Sequence, residues 1–279
     1  MSKHQKTMDI LEAAHSILEA HNPMTLRQLY YQLVSRQIIE NNRGQYQAVS
    51  TALVGARKEG FIPWEWIEDR TRRPRKVNMW DDLSDFGDSV ISSYRRDVWA
   101  CQPRYLEVWL EKDALSGIFE DVLEPYGVTL NVGRGYDGWD SIHNAAERYG
   151  TGETTTVLYF GDFDPSGEDM VRSLEERLFF FQSSPEIRKV ALTYDDITRY
   201  NLPPDFTKTG DTRREGFVAK YGDNAVELDA LPYDVLRDRI TREVEAQIDL
   251  DSLAEVREAE KTETGKLLVA MRMIKDGLD

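Results

Sequence analysis

TTTVLYFGDFDPSG, residues 154–167, decides how the chain is read. An apolar, β-branched run stops at Gly161-Asp162-Phe163-Asp164, and Pro165-Ser166-Gly167 turns the chain toward a helical pattern. Side chains alternate faces along a strand, so Asp162 and Asp164 are expected to point the same way. Two adjacent carboxylates repel unless a cation lies between them, and Mg²⁺ prefers oxygen ligands. Tyr105–Leu110 repeats the design, with Glu111 at its C-terminal end. In open parallel sheets the chemistry collects at those ends. Glu111, Asp162 and Asp164 are therefore candidate Mg²⁺ ligands. A structural reading competes, because Asp also suits the turns and helix N-caps that follow strands.

Outward from this stretch the pattern alternates. Strands are expected at 105–110, 127–132, 155–160 and 188–193, and helices at about 114–124, 139–149 and 166–178. Alternation of this kind gives an α/β fold with a mainly parallel sheet. After Pro203-Pro204 the chain reads as loop until Val226, followed by helices at about 232–248 and 251–275. Leu231, Val235, Ile240, Val244 and Ile248 are spaced for packing.

The front of the chain is different. A helix is expected over 6–21, ended by Asn22-Pro23. Thr25 opens a second, with Gln28 completing a capping box and Leu26, Leu29, Tyr30 and Leu33 forming its apolar stripe. A third runs from about Gln45 to Glu59, with Tyr46, Val49, Leu53 and Ala56 inward and Gln47, Ser50, Thr51, Arg57 and Lys58 outward. FIPWEWIEDRTRRPRK, residues 61–76, reads as a short β-wing ending in a basic cluster. Together these spell a winged helix-turn-helix. Arg57 and Lys58 on the third helix and Arg70, Arg72, Arg73 and Arg75 in the wing become candidate DNA contacts.

Charge supports that division. The whole chain carries −15, yet residues 25–76 hold 10 Lys/Arg against 5 Asp/Glu, while residues 77–279 hold 23 against 42. A basic front on an acidic body points the front at a polyanion. The single cysteine, Cys101, excludes an internal disulfide and a cysteine-based zinc site. The start MSKHQKTMDI has no apolar signal core, and no apolar run approaches ~18 residues. A soluble cytoplasmic protein is expected, nucleoid-associated if bacterial, with no membrane partner.

Two further motifs need weighing. Tyr31 lies about 100° around the second helix from core-facing Tyr30, and Arg27, four residues earlier, shares its face. A guanidinium beside a phenol favours the phenolate and can hold a phosphate, so Tyr31 is a candidate nucleophile toward a phosphodiester. Gly133-Arg-Gly135-Tyr-Asp-Gly138 fits the dinucleotide fingerprint G-x-G-x-x-G. However, Trp139 follows the last glycine, the motif lies on the second strand of its unit, and the next strand ends in paired acids. A loop passing close to the metal site or to DNA backbone is the alternative.

Glu111-Lys112-Asp-Ala-Leu, the glycine turn at 133–138 and Gly161-Asp-Phe-Asp-Pro-Ser-Gly167 resemble the Toprim domain. The closest form is that of the topoisomerase VI A subunit and the meiotic double-strand-break protein. In that family a CAP-like winged helix carrying Arg-x-x-[Phe/Tyr]-Tyr precedes Toprim, and Arg27-Gln28-Leu29-Tyr30-Tyr31 matches it. Glu227-Leu-Asp-Ala-Leu231 resembles a further C-terminal element. The resemblance implies a winged-helix domain over 1–80 bearing the tyrosine motif, a connector over 81–102, and a Toprim domain with a C-terminal helical extension over 103–279. It implies a type IIB, A-subunit-like DNA topoisomerase, compact like the stand-alone homologues of mobile elements and phages. Tyr31 would be the nucleophile supported by Arg27, and Glu111, Asp162 and Asp164 the Mg²⁺ ligands, with Glu168 and Lys112 near them. It also implies double-stranded DNA as substrate, a homodimer in which the tyrosine of one subunit works with the metal site of the other, and a covalent 5′-phosphotyrosine. An ATPase B-type partner subunit is a possible companion. Two other readings stand: a Toprim nuclease that uses water, with Tyr31 structural, and a non-catalytic DNA-binding regulatory protein.

Overall fold

The computed structural model describes residues 3–68, 77–133, 138–150, 154–204 and 213–276. Helix α1, Lys3–His21, buries Ala14, Ile17 and Leu18. A two-residue strand β1, Met24–Thr25, then leads into α2, Leu26–Ser35. The expected capping box at Thr25 forms: its hydroxyl accepts from the Gln28 amide, and the Gln28 side chain accepts from the Thr25 amide. Helix α3, Arg43–Lys58, is capped by Asn42 and buries Val49, Leu53 and Ala56. Past it a 3₁₀ turn, Trp64–Trp66, brings strand β2, Ile67–Glu68, parallel to β1. The start of the expected wing thus pairs back onto the entry to α2. The rest of it, with Arg70, Arg72, Arg73 and Arg75, lies outside the described residues.

Helix α4, Leu83–Ser93, occupies the expected connector. The sheet follows: β3 Tyr105–Leu110, α5 Ser116–Leu123, β4 Thr129–Val132, α6 Trp139–Tyr149, β5 Thr155–Phe160, α7 Pro165–Phe180 and β6 Glu186–Ala191. All four strands are parallel, in the order β4-β3-β5-β6. The fold is α/β, as the alternating pattern implies. Period-2 alternation sorts the two faces. Leu106, Val108, Leu110, Leu158 and Phe160 face one core with Phe119, Leu236, Ile240 and Val244. Trp109, Val157 and Tyr159 face the other with Ile142, Ala145, Met170 and Leu174 of α6 and α7. The first core runs without a break into Leu29, Leu33, Leu53 and the rest of the N-terminal helices.

Two helices follow β6. Helix α8, Tyr194–Tyr200, lies in a stretch the sequence left unassigned and starts from a capping box between Thr193 and Asp196. Helix α9, Arg214–Tyr221, lies inside the expected loop between Pro204 and Val226, which it corrects. Neither is long enough to display a 3.6-residue period, so each forms on caps and tertiary packing. The fourth strand lies two residues earlier than expected. Helices α10, Tyr233–Glu245, and α11, Leu250–Asp276, close the chain, with Leu231, Ile240, Val244 and Ile248 buried. Among the described residues no helix is long and apolar enough to cross a membrane.

Candidate active site

The strand order places the topological switch between β3 and β5. The chain leaves β3 toward β4 on one side and leaves β5 toward β6 on the other, opening a crevice at the C-terminal strand ends. Glu111 follows β3 there and Asp162 follows β5. Glu111 Oε2 accepts from the Asp162 amide at 3.0 Å and from the Tyr159 hydroxyl at 3.4 Å. This crossing is close: a Cβ at 161 would lie 2.5 Å from Glu111 Oε2, so the Glu111 side chain would have to shift. Burial raises the Glu111 carboxyl above its ordinary range, and the charge of Asp162 adds to the effect. Burial also raises Asp162, against the opposing pull of the Lys112 ammonium and the Leu228 amide.

Asp162 and Asp164 both lie beyond the end of β5 and take different partners, so strand alternation does not set their directions. Regular pairing ends at Phe160, and Asp164 becomes the N-cap of α7, its Oδ1 accepting from the Gly167 amide at 2.6 Å. Asp162 turns elsewhere, accepting from the Leu228 amide at 2.7 Å and pairing with Lys112 Nζ at 2.9 Å. The turn between them is close-packed: a Cβ on Gly167 would sit 2.2 Å from the Asp162 carbonyl oxygen. Lys189 of β6 donates to that same carbonyl at 3.0 Å and to Glu168 at 2.7 Å. Among the described residues no three His, Cys, Asp or Glu side chains form a group of the kind that holds a metal ion.

The residues that complete the site come from far along the chain. Phe163 and Val226 exchange backbone hydrogen bonds of 2.9 Å in an antiparallel bridge, which delivers the 3₁₀ turn Leu228–Ala230 to the crevice. Glu227 and Asp229 arrive with it. Lys112 Nζ lies 3.1 Å from Glu227 Oε2 and 3.3 Å from Asp229 Oδ2, so one ammonium bridges three carboxylates. Asp229 is 2% exposed, and its Oδ1 has no hydrogen-bond partner among the described residues. Sequence reasoning put Lys112 near the metal site but gave Glu227 and Asp229 no role. The only signal for them was the resemblance of residues 227–231.

Helix α2 packs directly on this acidic turn. Arg27 Nε pairs with Asp229 Oδ2 at 2.6 Å, and its Nη2 contacts Glu227 Oε2. Burial works against the Arg27 charge, but Asp229, Tyr31 and Asp162 together outweigh it and hold the guanidinium above its ordinary pKa. The Tyr31 hydroxyl donates to Glu227 Oε2 at 2.7 Å, with the Arg27 guanidinium 5.6 Å from its ring centre. Arg27 and Tyr31 thus share a face, as their spacing implies. That face is turned inward, onto the same chain's acids, and Tyr31 is only 6% exposed.

The candidate DNA contacts separate. Lys58 is exposed on α3. Arg57 is folded back: its guanidinium donates to the Trp64 and Ile67 carbonyls, the latter at 3.1 Å, and stacks 4.2 Å from the centre of a Trp64 ring. Burial lowers its pKa. Arg70, Arg72 and Arg73 lie outside the described residues, as do residues 134–137 of the glycine motif. Comparison with protein-family models gave no match, and neither did comparison with curated proteins.

Proposed function

We propose that the protein is a Mg²⁺-dependent, tyrosine-based DNA-cleaving enzyme of the topoisomerase VI A-subunit type, built from a winged helix and a Toprim domain. One observation carries the reading. The Tyr31–Arg27 pair of the N-terminal helices is hydrogen-bonded into the carboxylates gathered at the sheet's switch point. A nucleophile, a phosphate-binding cation and a cluster of acids thus meet in one crevice of a single chain, rather than across two subunits as the resemblance implies.

The donor chemistry fits a hard cation. Burial raises Glu111 and Asp162, and Asp229 has an unpartnered buried oxygen, so the pocket carries more negative charge than Lys112 and Arg27 balance. As they stand the three side chains form no metal-holding group, so Glu111, Asp162 and Asp164 would hold Mg²⁺ only after Asp162 gives up Lys112 and Asp164 its cap on Gly167. When bound, the ion supplies stabilisation of the charge that develops on the scissile phosphate. Glu227 takes the Tyr31 proton, being already its hydrogen-bond acceptor. The Tyr31 oxygen attacks phosphorus, the bond to the 3′ oxygen breaks, and that oxygen gains a proton from water. The product is a 5′-phosphotyrosine and a free 3′ hydroxyl. Arg27 steadies the phosphate. Tyr31 must leave its buried position against Glu227 to reach DNA.

That same burial favours a second reading, a Toprim nuclease in which water attacks and Tyr31 only anchors α2. Supercoiled plasmid incubated with Mg²⁺, stopped with SDS and run with and without protease separates the two. Protein-linked, protease-sensitive cleavage that disappears in Tyr31→Phe is the expected result. Free ends that persist in Tyr31→Phe and vanish in Asp162→Ala select the hydrolytic reading.

A further inference from the structure

The turn that leaves α3 holds two aromatic rings out into solvent. Gly60 takes a positive φ of 78°, and the Phe61 amide donates back to the Ala56 carbonyl at 2.9 Å. Ile62 and Ile67 are buried and pin the turn at both ends. The Arg57 guanidinium ties it from the side, donating to the Trp64 and Ile67 carbonyls. Between these anchors Phe61 is 41% exposed and Trp64 is 55% exposed. His15 of α1 packs against Phe61 with ring centres 5.2 Å apart, and the Arg57 guanidinium lies over a ring of Trp64. Each ring is thus supported from within the chain and still open to solvent. Side chains held in this way lose little freedom when a ligand covers them.

The charge beside the turn says what kind of ligand. Residues 41–58 contain Arg43, Arg57 and Lys58 and no Asp or Glu. Arg43, Gln47, Thr51, Val54 and Lys58, three or four residues apart, form an exposed stripe along α3. Lys58 ends that stripe where the turn begins. Glu59 and Glu65 border the turn itself, so phosphates fall to the helix and the rings are left for bases. Aromatic faces next to a basic track are how single strands are held: cations follow the backbone, and each base stacks on a ring. Bases inside a duplex are stacked on one another and offer no free face, so the rings select unpaired ones.

We infer that Phe61 and Trp64 form a stacking site for unpaired bases, and that the DNA this protein binds best is a duplex opened beside the footprint of α3. The inference rests on the DNA-cleavage reading for its partner and adds the form that DNA takes. It needs neither the metal nor Tyr31.

Fluorescence anisotropy on the full chain in EDTA, where no cleavage intervenes, tests it. Three probes share one sequence: a closed duplex, the same duplex with a central bubble of ~4 unpaired thymines, and a third in which those thymines are replaced by abasic sites. The wild type is expected to bind the bubble ~10-fold more tightly than the closed duplex, and the abasic probe no more tightly than the closed duplex. Phe61→Leu with Trp64→Leu keeps apolar bulk and removes the aromatic faces. It is expected to lose the bubble preference while its affinity for the closed duplex is unchanged. Phe61→Tyr with Trp64→Tyr keeps the faces and is expected to keep the preference. A 2-aminopurine placed in the bubble is expected to be quenched by the wild type and not by the Leu variant. A wild type with no bubble preference overturns the inference and leaves the cleavage reading standing. So does a preference that the abasic probe shares, which marks DNA flexibility, or one that the Leu variant retains, which assigns the rings to a protein partner. A wild type that binds none of the three probes overturns both.

Discussion

Lys112→Met tests whether one ammonium holds the acidic turn to the sheet. Methionine keeps the reach of the side chain and removes the charge. The Lys112 ammonium lies 2.9 Å from Asp162, 3.1 Å from Glu227 and 3.3 Å from Asp229, and the Asp229 side chain is fully buried. Taking one partner out of a buried charge network costs ~3–5 kcal/mol, because the remaining charges lose compensation. Arg27 keeps its contacts to Glu227 and Asp229, which places the expected loss near ~3 kcal/mol. At ~2–4 °C per kcal/mol, Tm falls by ~6–12 °C. Mg²⁺ would take Asp162 from that network and offset its charge, so it should stabilise the variant more than the wild type. At ~100 times its Kd it returns ~2.7 kcal/mol. The assay is urea-induced unfolding of both proteins with and without millimolar Mg²⁺. A loss under ~1 kcal/mol would refute the network argument. Equal Mg²⁺ stabilisation of the two proteins would refute the claim that the carboxylates bind the ion.

The other predictions concern different parts of the molecule. Asp196 accepts from both Arg239 amino groups at 2.6 and 2.7 Å; burial opposes its charge, but Arg239 and Thr193 outweigh it and hold its pKa below the ordinary value. Its stabilisation is therefore present above about pH 4 and lost as pH falls through the depressed value. Asp196→Ala should cost ~3–5 kcal/mol at pH 7 and remove that acid limb from a stability–pH profile. Glu111 and Asp162 titrate with the opposite sign, so their contribution is present below about pH 4 and lost as pH rises through their raised values. Glu111→Gln should flatten that loss above about pH 4 in the same profile. Gly167→Ala should destabilise by ~1–3 kcal/mol, since the clash is with backbone. Gly161→Ala meets only side chains and should spare stability while displacing Glu111, a split that melting curves and plasmid cleavage read together. Lys58→Ala should lower DNA affinity and reduce the salt slope by ~1. Arg57→Ala should instead lower Tm, because its guanidinium clamps the Trp64 and Ile67 carbonyls.

Local chemistry made much of the fold legible in the chain. The Thr25–Gln28 box and the two buried strands ending at Leu110 and Phe160 are each decided by neighbours within a few residues. The α/β alternation and the crevice position of Glu111 and Asp162 follow from them. Asp164 shows where local reading divides, because the same residue suits a strand-end ligand and a helix N-cap. The chain resolves the choice only when α7 forms and Gly167 offers its amide. Helices α8 and α9 stayed hidden because seven or eight residues are too few for a period to emerge.

What the sequence alone determined is the parallel sheet and the acids at its strand ends, because strand periodicity and turn chemistry are properties of adjacent residues. What only the tertiary structure decided is the company those acids keep. Glu227 lies more than sixty residues beyond Asp162 and reaches it through a single antiparallel bridge, Phe163 to Val226. Arg27 and Tyr31 lie some two hundred residues before Glu227 and meet it because α2 packs on the Leu228–Ala230 turn. Such contacts depend on how whole elements stack, and no spacing within one segment encodes them. The inward turn of Tyr31 is the plainest case. Its helical phase set it beside Arg27, but only the arrival of the acidic turn made that face an interior one.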